Sequence, residues 1–429
     1  MGRAVLAAAL VLSAAAGAAE PPAPGQDPTL AWSWWWDEKL HYHLEVPLDD
    51  VWILPETGPV TGKPLEQRIA FVGTIGGRIQ VDTAGYHQAQ GLEDVHGGIA
   101  LRRLRFGTRG DFYLVKQVSY AVDLELQERE LQVGDVYLWL RQVPFIERFK
   151  IGNFSPSVTL ESVTGSRDTV FMESGLPVLA FAPGRSAGIE IGGPVLGERV
   201  TWALGAFRTI ETPVLGDQSK AGARITARVT WLVEDARIAP RLTHLGASTS
   251  ILVSPEDVRY RARPESFLAP TLVDTGALRA NDASSVGIEL ARIDGPWLVM
   301  SEAIATTVSG QQSGTLWGAY ASISRFLTDE DTQPYDRGDG SLARFEPARP
   351  FSWSAGTWGA LRASARVSYL DLDDTPIKGG RDANLTTDLS WYLGHYIVLK
   401  LELGYAAIRS RPNDGNLYFV QSRFQYDFY

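Results

Sequence analysis

The 429-residue chain has no cysteine and only three methionines. Without cysteine there is no disulfide framework, on which small exported domains often rely, and no residue for a bacterial lipid anchor. Positive charge is in deficit: 40 Lys and Arg stand against 50 Asp and Glu, a net −10, which argues against a protein that coats nucleic acid. Past the first 19 residues no apolar run is long enough to cross a bilayer as a helix. That leaves a closed barrel as the way to span one, because a barrel also satisfies every backbone group in lipid. Catalytic signatures are missing as well. There is no Gly-x-Ser-x-Gly elbow, HExxH helix or phosphate-loop motif, and His244 and His395 have no serine motif beside them, so no enzyme is expected. His41 and His43 lack a third ligand, and Asp371, Asp373 and Asp374 lack the glycine and distal glutamate of an EF-hand loop. No metal or other cofactor is expected.

What is present begins with an export signal over residues 1–19. Arg3 is a short positive start, residues 4–12 are unbroken apolar sequence, and small residues up to Ala19 offer a cleavage site. Residues 20–67 form a second unit, rich in Pro and Trp and read as periplasmic. It opens on the turn-rich Pro21-Pro22-Ala23-Pro24-Gly25 and carries Trp32, Trp34, Trp35 and Trp36. Nothing periodic surrounds that cluster, which suits packing under a barrel mouth or onto a partner.

From residue 68 to 429 the chain alternates with period two. Ile225, Ala227, Val229, Trp231 and Val233 oppose Arg224, Arg228 and Thr230. Leu361, Ala363, Ala365, Val367 and Tyr369 oppose Arg362, Ser364, Arg366 and Ser368. Such alternation gives a strand one apolar and one wet face. A soluble sandwich alternates too. Three features favour a transmembrane antiparallel barrel. The segments approach the roughly 9–11 residues of a tilted spanning strand, charges sit in mid-strand, and aromatics such as Trp391, Tyr392 and Tyr405 lie near strand ends as girdle residues do. Turn-rich stretches at 331–340, 371–382 and 411–415 read as loops. The first contains an Arg-Gly-Asp triplet, Arg337 to Asp339, in a setting where Asp and Gly serve turn geometry. The chain closes on an alternating strand with Tyr418, Val420, Phe424, Tyr426 and Phe428 on one face. That pattern suits the closing strand of an outer-membrane barrel and the signal read by the barrel assembly machinery.

Several motifs appear in one order across this region: Gly77-Arg78-Ile79-Gln80-Val81-Asp82; Leu101-Arg102-Arg103-Leu104-Arg105-Phe106-Gly107; Gly134-Asp135-Val136-Tyr137-Leu138; Ile151-Gly152-Asn153-Phe154; Glu161-Ser162-Val163-Thr164-Gly165-Ser166-Arg167; and Phe181-Ala182-Pro183-Gly184-Arg185. Together they resemble the phosphate-selective porin O and P family. The resemblance implies an all-β, 16-stranded barrel in the bacterial outer membrane. It also implies a homotrimer surrounded by outer-membrane lipid, and a loop at about 153–185 folded inward as a constriction. On that resemblance Arg78, Arg102 and Arg103 fall on an arginine ladder, Arg167 stands where the family has a constriction lysine, and Asp135 where it has an acid beside the site. A further lysine of the family falls near Ser119 or Ala121 here. Strand parity adds Arg105 to the face of Arg103 and turns Arg102 toward lipid.

The expected function is diffusion of small, phosphate-like anions. An anion entering a pore loses part of its water shell, and Arg replaces those hydrogen bonds with a charged, planar fork of donors. Each of these arginines has a second reading, a lumen charge balanced by a carboxylate. A general diffusion porin, or a structural or adhesive envelope barrel, therefore stays open at this point.

Overall fold

The computed structural model describes residues 33–36, 41–47, 68–88, 91–92, 95–113, 117–127, 130–143, 146–209, 222–236, 241–253 and 257–428, with most side chains from residue 73 onward. The signal peptide expected at 1–19 lies outside them. A hairpin comes first, β1 (Ser33–Trp36) and β2 (His41–Pro47). Then follow β3 (Arg68–Gln88), β4 (Gly98–Tyr113), β5 (Gln117–Gln127), β6 (Glu130–Val143), β7 (Ile146–Phe154), β8 (Ser186–Val195), β9 (Val200–Thr209) and β10 (Gly222–Ala236). The second half is β11 (Arg241–Val253), β12 (Ala280–Asp294), β13 (Trp297–Gly310), β14 (Gly314–Phe326), β15 (Ala360–Asp374), β16 (Ile377–Tyr392), β17 (Ile397–Arg409) and β18 (Asp414–Phe428).

Each strand from β3 to β18 pairs antiparallel with the next, and β18 returns to β3 with Phe428 opposite Gly77 and Leu417 opposite Gln88. This closes a 16-stranded barrel. β3 is 21 residues long and overruns β18, which leaves its first residues without that partner. β2 takes the vacant edge, pairing Pro47 with Arg68 and His41 with Thr74, and β1 pairs outside β2. An open edge would otherwise offer a row of unpaired donors and acceptors. Trp34, Trp35 and Trp36 therefore lie on a strand, which the aperiodic sequence around them did not indicate, and the sheet begins before residue 68. The turn-rich stretch at 371–382 is also corrected. β15 and β16 run almost through it and leave only two residues between them.

The barrel is inverted relative to a soluble protein. On β10, Ile225, Val229, Trp231 and Val233 are 43–52 % exposed, while Arg228 and Thr230 on the opposite face are buried. On β17, Leu401 and Leu403 are exposed while Lys400 and Glu402 are buried. The apolar face points outward over the whole ring, as it must where the surroundings are lipid.

The core lies inside. The loop at 155–185, between β7 and β8, carries α1 (Leu160–Val163) and α2 (Leu176–Phe181). Its Leu160, Phe171, Leu176 and Phe181 pack into one cluster with Leu298, Ile304, Tyr320 and Leu370 of the wall. A second loop before β12 sends the fully buried Glu265 into the lumen, where its carboxylate accepts from Arg366 and Thr386. Connections at the end bearing the chain termini are short, with one exception. The segment 327–359 between β14 and β15 folds up into the barrel, where Leu342 N donates to Thr164 Oγ1 at 3.3 Å. Two loops thus enter from one end and one segment from the other.

Candidate functional site

The loop 155–185 is pulled to one side of the lumen. Its backbone carbonyls at Thr169 and Val170 accept from Lys400, that of Met172 from Arg423, and that of Glu173 from Arg366. Its amides at Leu160 and Glu161 donate to Glu302. These partners lie on β13, β15, β17 and β18, so that half of the barrel is filled. What remains is a cavity of about 470 Å³ against β3 to β8, lined by eight Lys or Arg side chains and six carboxylates.

The ladder residues stand on this wall. Arg78 of β3 donates to Asp427 at 2.7 Å and to Ser166 of the loop at 2.8 Å. Arg103 pairs with Glu125, and Arg105 reaches Glu125 at 2.9 Å, Asp123 at 3.6 Å and Asp135 at 3.8 Å. Arg109 pairs with Asp123 at 2.9 Å. Gly107 makes this possible: a Cβ there would sit 2.0 Å from Asp123 Oδ1, so only glycine lets the carboxylate fold across to both arginines. Asp135 also accepts from Arg185 at 2.8 Å. Arg167 lies on the loop side, 30 % exposed by its side chain and 3.2 Å from Asp168. Burial pushes the Asp168 carboxyl up, against the pull of Arg167 and Arg78.

Arg102 needs a correction. Parity sends it toward lipid, but the register between β3 and β4 shifts at Gln80 and Val81, so Arg103 pairs with Gln80 and Leu101 with Val81. Arg102 is the extra residue of a β-bulge, which re-aims it inward beside Arg103. There it does not line the cavity. It grips Glu173 of the loop at 3.0 and 3.2 Å and stacks over Phe267 at 4.2 Å. Ser119 and Ala121 supply no cation: Ser119 donates to Asp111, and Ala121 is buried.

Sequence reasoning missed Arg148 and Lys150 of β7. Their signal was the same period two, since they alternate with Phe149 and Ile151 in a nine-residue strand. Arg148 pairs with Asp339 of the 327–359 segment and lies 3.9 Å from Glu190. The Lys150 ammonium sits over Tyr137 at 4.0 Å and Phe154 at 4.2 Å. Among the described residues it has no carboxylate within ion-pair distance. It is the one cation of this wall held by aromatic faces rather than by an acid.

A family model described as phosphate-selective porin O and P matches residues 74–428. The chain belongs to the phosphate-selective porin O and P family. It is thus a porin of the bacterial outer membrane. A Caulobacter vibrioides protein of uncharacterised function is 29 % identical over 373 residues, covering 82 % of this chain and 73 % of its own. OmpT of Vibrio cholerae, solved in a trimer form, superposes with a TM-score of 0.54 at 10 % identity, over 83 % of this porin and 99 % of OmpT. An anion-selective porin from Comamonas acidovorans gives 0.51 at 11 % identity, over 83 % and 100 % of the two chains. The channel DcaP of Acinetobacter baumannii gives 0.52 at 11 %, over 83 % and 97 %. At these identities the solved structures speak for the fold. The hairpin β1 and β2 lies before the matched region.

Proposed function

We propose that this porin conducts small anions through the cavity between β3–β8 and the inward loop, with phosphate-like oxyanions as the preferred class, and that it works as a homotrimer inserted by the barrel assembly machinery through β18. The observation that carries the reading is the Lys150 ammonium, which among the described residues has no carboxylate within ion-pair distance although it lines the cavity. Arg167, partly exposed beside an acid whose charge burial disfavours, adds a second accessible cation. The net −10 of the chain does not oppose this, because charges beyond roughly 8–10 Å are screened at physiological salt.

A specific observation favours a second reading, a general anion porin without phosphate preference. Arg78, Arg103, Arg105 and Arg109 each hold a carboxylate, so the ladder is largely neutralised before an ion arrives. The Arg-Gly-Asp triplet is not displayed for adhesion: it is tied through Arg337 to Asp235 and Asp339 to Arg148.

Single-channel recording in a salt gradient tests the proposal. The reversal potential should report anion preference. Lys150→Gln should lower the anion-to-cation permeability ratio about fivefold, the effect of one unit charge at about 4 Å in water. Arg167→Ala should act in the same direction. Block of chloride current by millimolar phosphate separates the phosphate reading from the general one, and cation preference of the wild type would remove both.

A further inference from the structure

The segment 327–359 arrives at the cavity from the end bearing the chain termini, and its tip is held by its backbone. Thr201 Oγ1 donates to Arg337 O at 2.7 Å, and Arg228 donates to the carbonyls of Asp339 and Gly340 at 2.9 and 2.7 Å. Gly340 has a φ of +64°, and a Cβ there would meet Thr230 Oγ1 at 2.8 Å, so this close seat on the wall requires glycine. Tyr335 adds a 2.6 Å hydrogen bond to His244 Nδ1. With the backbone seated, one charged side chain projects into the cavity. The Asp339 carboxylate lines it and sits on Arg148, in the same lining as Lys150.

We propose that Arg148 and Lys150 form a second oxyanion site on the wall away from the ladder, and that Asp339 is its tethered occupant, a carboxylate that an incoming phosphate or carboxylate anion displaces from Arg148 by rotation of one side chain. The inference rests on the anion-porin reading above and adds a site to it. Three observations carry it. The chain itself places an oxyanion on Arg148, which shows the class of group the site accepts. Lys150, which among the described residues forms no ion pair, supplies a second positive charge in the same lining. The Asp339 backbone is anchored through other residues, so the side chain can leave without the segment leaving. Glu190, 3.9 Å from Arg148, opposes an anion there and sets a limit on affinity, which suits a site that must also release its ion. A resident competitor lowers apparent affinity by the fraction of time the site is free.

The test is phosphate block of chloride current through single channels of wild type, Asp339→Asn and Asp339→Glu, each first shown to be folded by its heat-modifiable gel mobility. With the competitor neutralised, the half-blocking concentration of inorganic phosphate should fall about tenfold in Asp339→Asn and chloride conductance should rise, as expected if the site is free about a tenth of the time in wild type. Asp339→Glu keeps the carboxylate and should stay within about twofold of wild type on the same argument. A half-blocking concentration that is unchanged or raised in Asp339→Asn overturns the inference, and so does an absence of block in both proteins. If Asp339→Asn does not assemble, Lys150→Gln decides: it should raise the half-blocking concentration about fivefold, and an unchanged value overturns the site. Anion preference in the wild type with no difference between Asp339 variants sinks this inference alone, whereas cation preference in the wild type sinks the reading on which it rests.

Discussion

Glu173 shows how single charges position the inward loop. Its carboxylate takes both Arg102 and Arg423 at 3.0 Å. Burial pushes its acidity toward the neutral form, but Arg102 and Arg423 outweigh that and hold it at about 2, below the ordinary 4.5. A carboxyl with a depressed folded value stabilises the folded form above its unfolded value and loses that contribution as pH falls through the folded one. The loop anchor should therefore be constant from neutral pH down to about 5 and weaken progressively between about 4.5 and about 2. Thermal midpoints in detergent across that range check it. Glu173→Gln should remove the acid step and cost about 3 kcal/mol, since Arg102 loses its carboxylate while Arg423 keeps Asp82. At this scale the sequence was partly legible. Parity grouped Arg103 and Arg105 correctly on the lumen wall. It misplaced Arg102, because a one-residue bulge depends on the register of two strands and leaves no mark in either one. It could not show which arginines hold acids. Those pairs join residues as far apart as Arg78 and Asp427 across the closing seam.

The elements depend on close approaches that alternation alone does not reveal. Opposite Phe419 on β18 stands Gly404 of β17, and a Cβ on Gly404 would lie 1.8 Å from the Phe419 ring. The ring lies across the glycine and fills the space its missing side chain leaves, on the inner face next to the seam between β18 and β3. Gly404→Ala should force the ring off its rotamer and cost about 1–3 kcal/mol, seen as a lower temperature for loss of the folded band. Gly85 offers a contrast. A Cβ there would meet only Val420 at an ordinary 3.6 Å, so Gly85→Ala should leave the same temperature nearly unchanged. Long strands were the most legible elements, because period two persists over ten residues or more. The segment 327–359 was the least legible. Its Asp- and Gly-rich composition marks turns, but whether a turn-rich segment leaves the barrel or enters it depends on distant seats such as Thr201 and Arg228. The same holds for β1 and β2, whose pairing follows from the overrun of β3 past β18 and not from their own pattern.

For the whole molecule the decisive property is the reversal of its two surfaces. A folded soluble protein shields its large aliphatic side chains, yet here Val229, Val286, Ile288, Val367 and Leu403 are 48–66 % exposed along the strands, while Glu289, Arg366 and Glu402 on the facing side are buried. Charges inside are affordable because they meet in pairs and in backbone contacts, as Arg366 does with Glu161 and Glu265. Their removal from water is offset only by those partners. The outside has no such partners and needs none in lipid. Val367 lies near the middle of β15, 56 % exposed and flanked by Ala365 and Tyr369 on the same face. Val367→Arg should cost about 2–4 kcal/mol if that point faces the bilayer midplane, lowering the amount of heat-modifiable barrel recovered from outer membranes. On a water-facing surface the same change would shift stability by no more than about 0.5 kcal/mol. Introducing arginine at Gln311, exposed in the short turn between β13 and β14, should be tolerated and serves as the reference. Equal recovery of Val367→Arg and Gln311→Arg would contradict the lipid-facing assignment of β15. A marked loss confined to Val367→Arg ties the exposed aliphatic belt to the membrane and leaves the buried charges to the interior of the barrel.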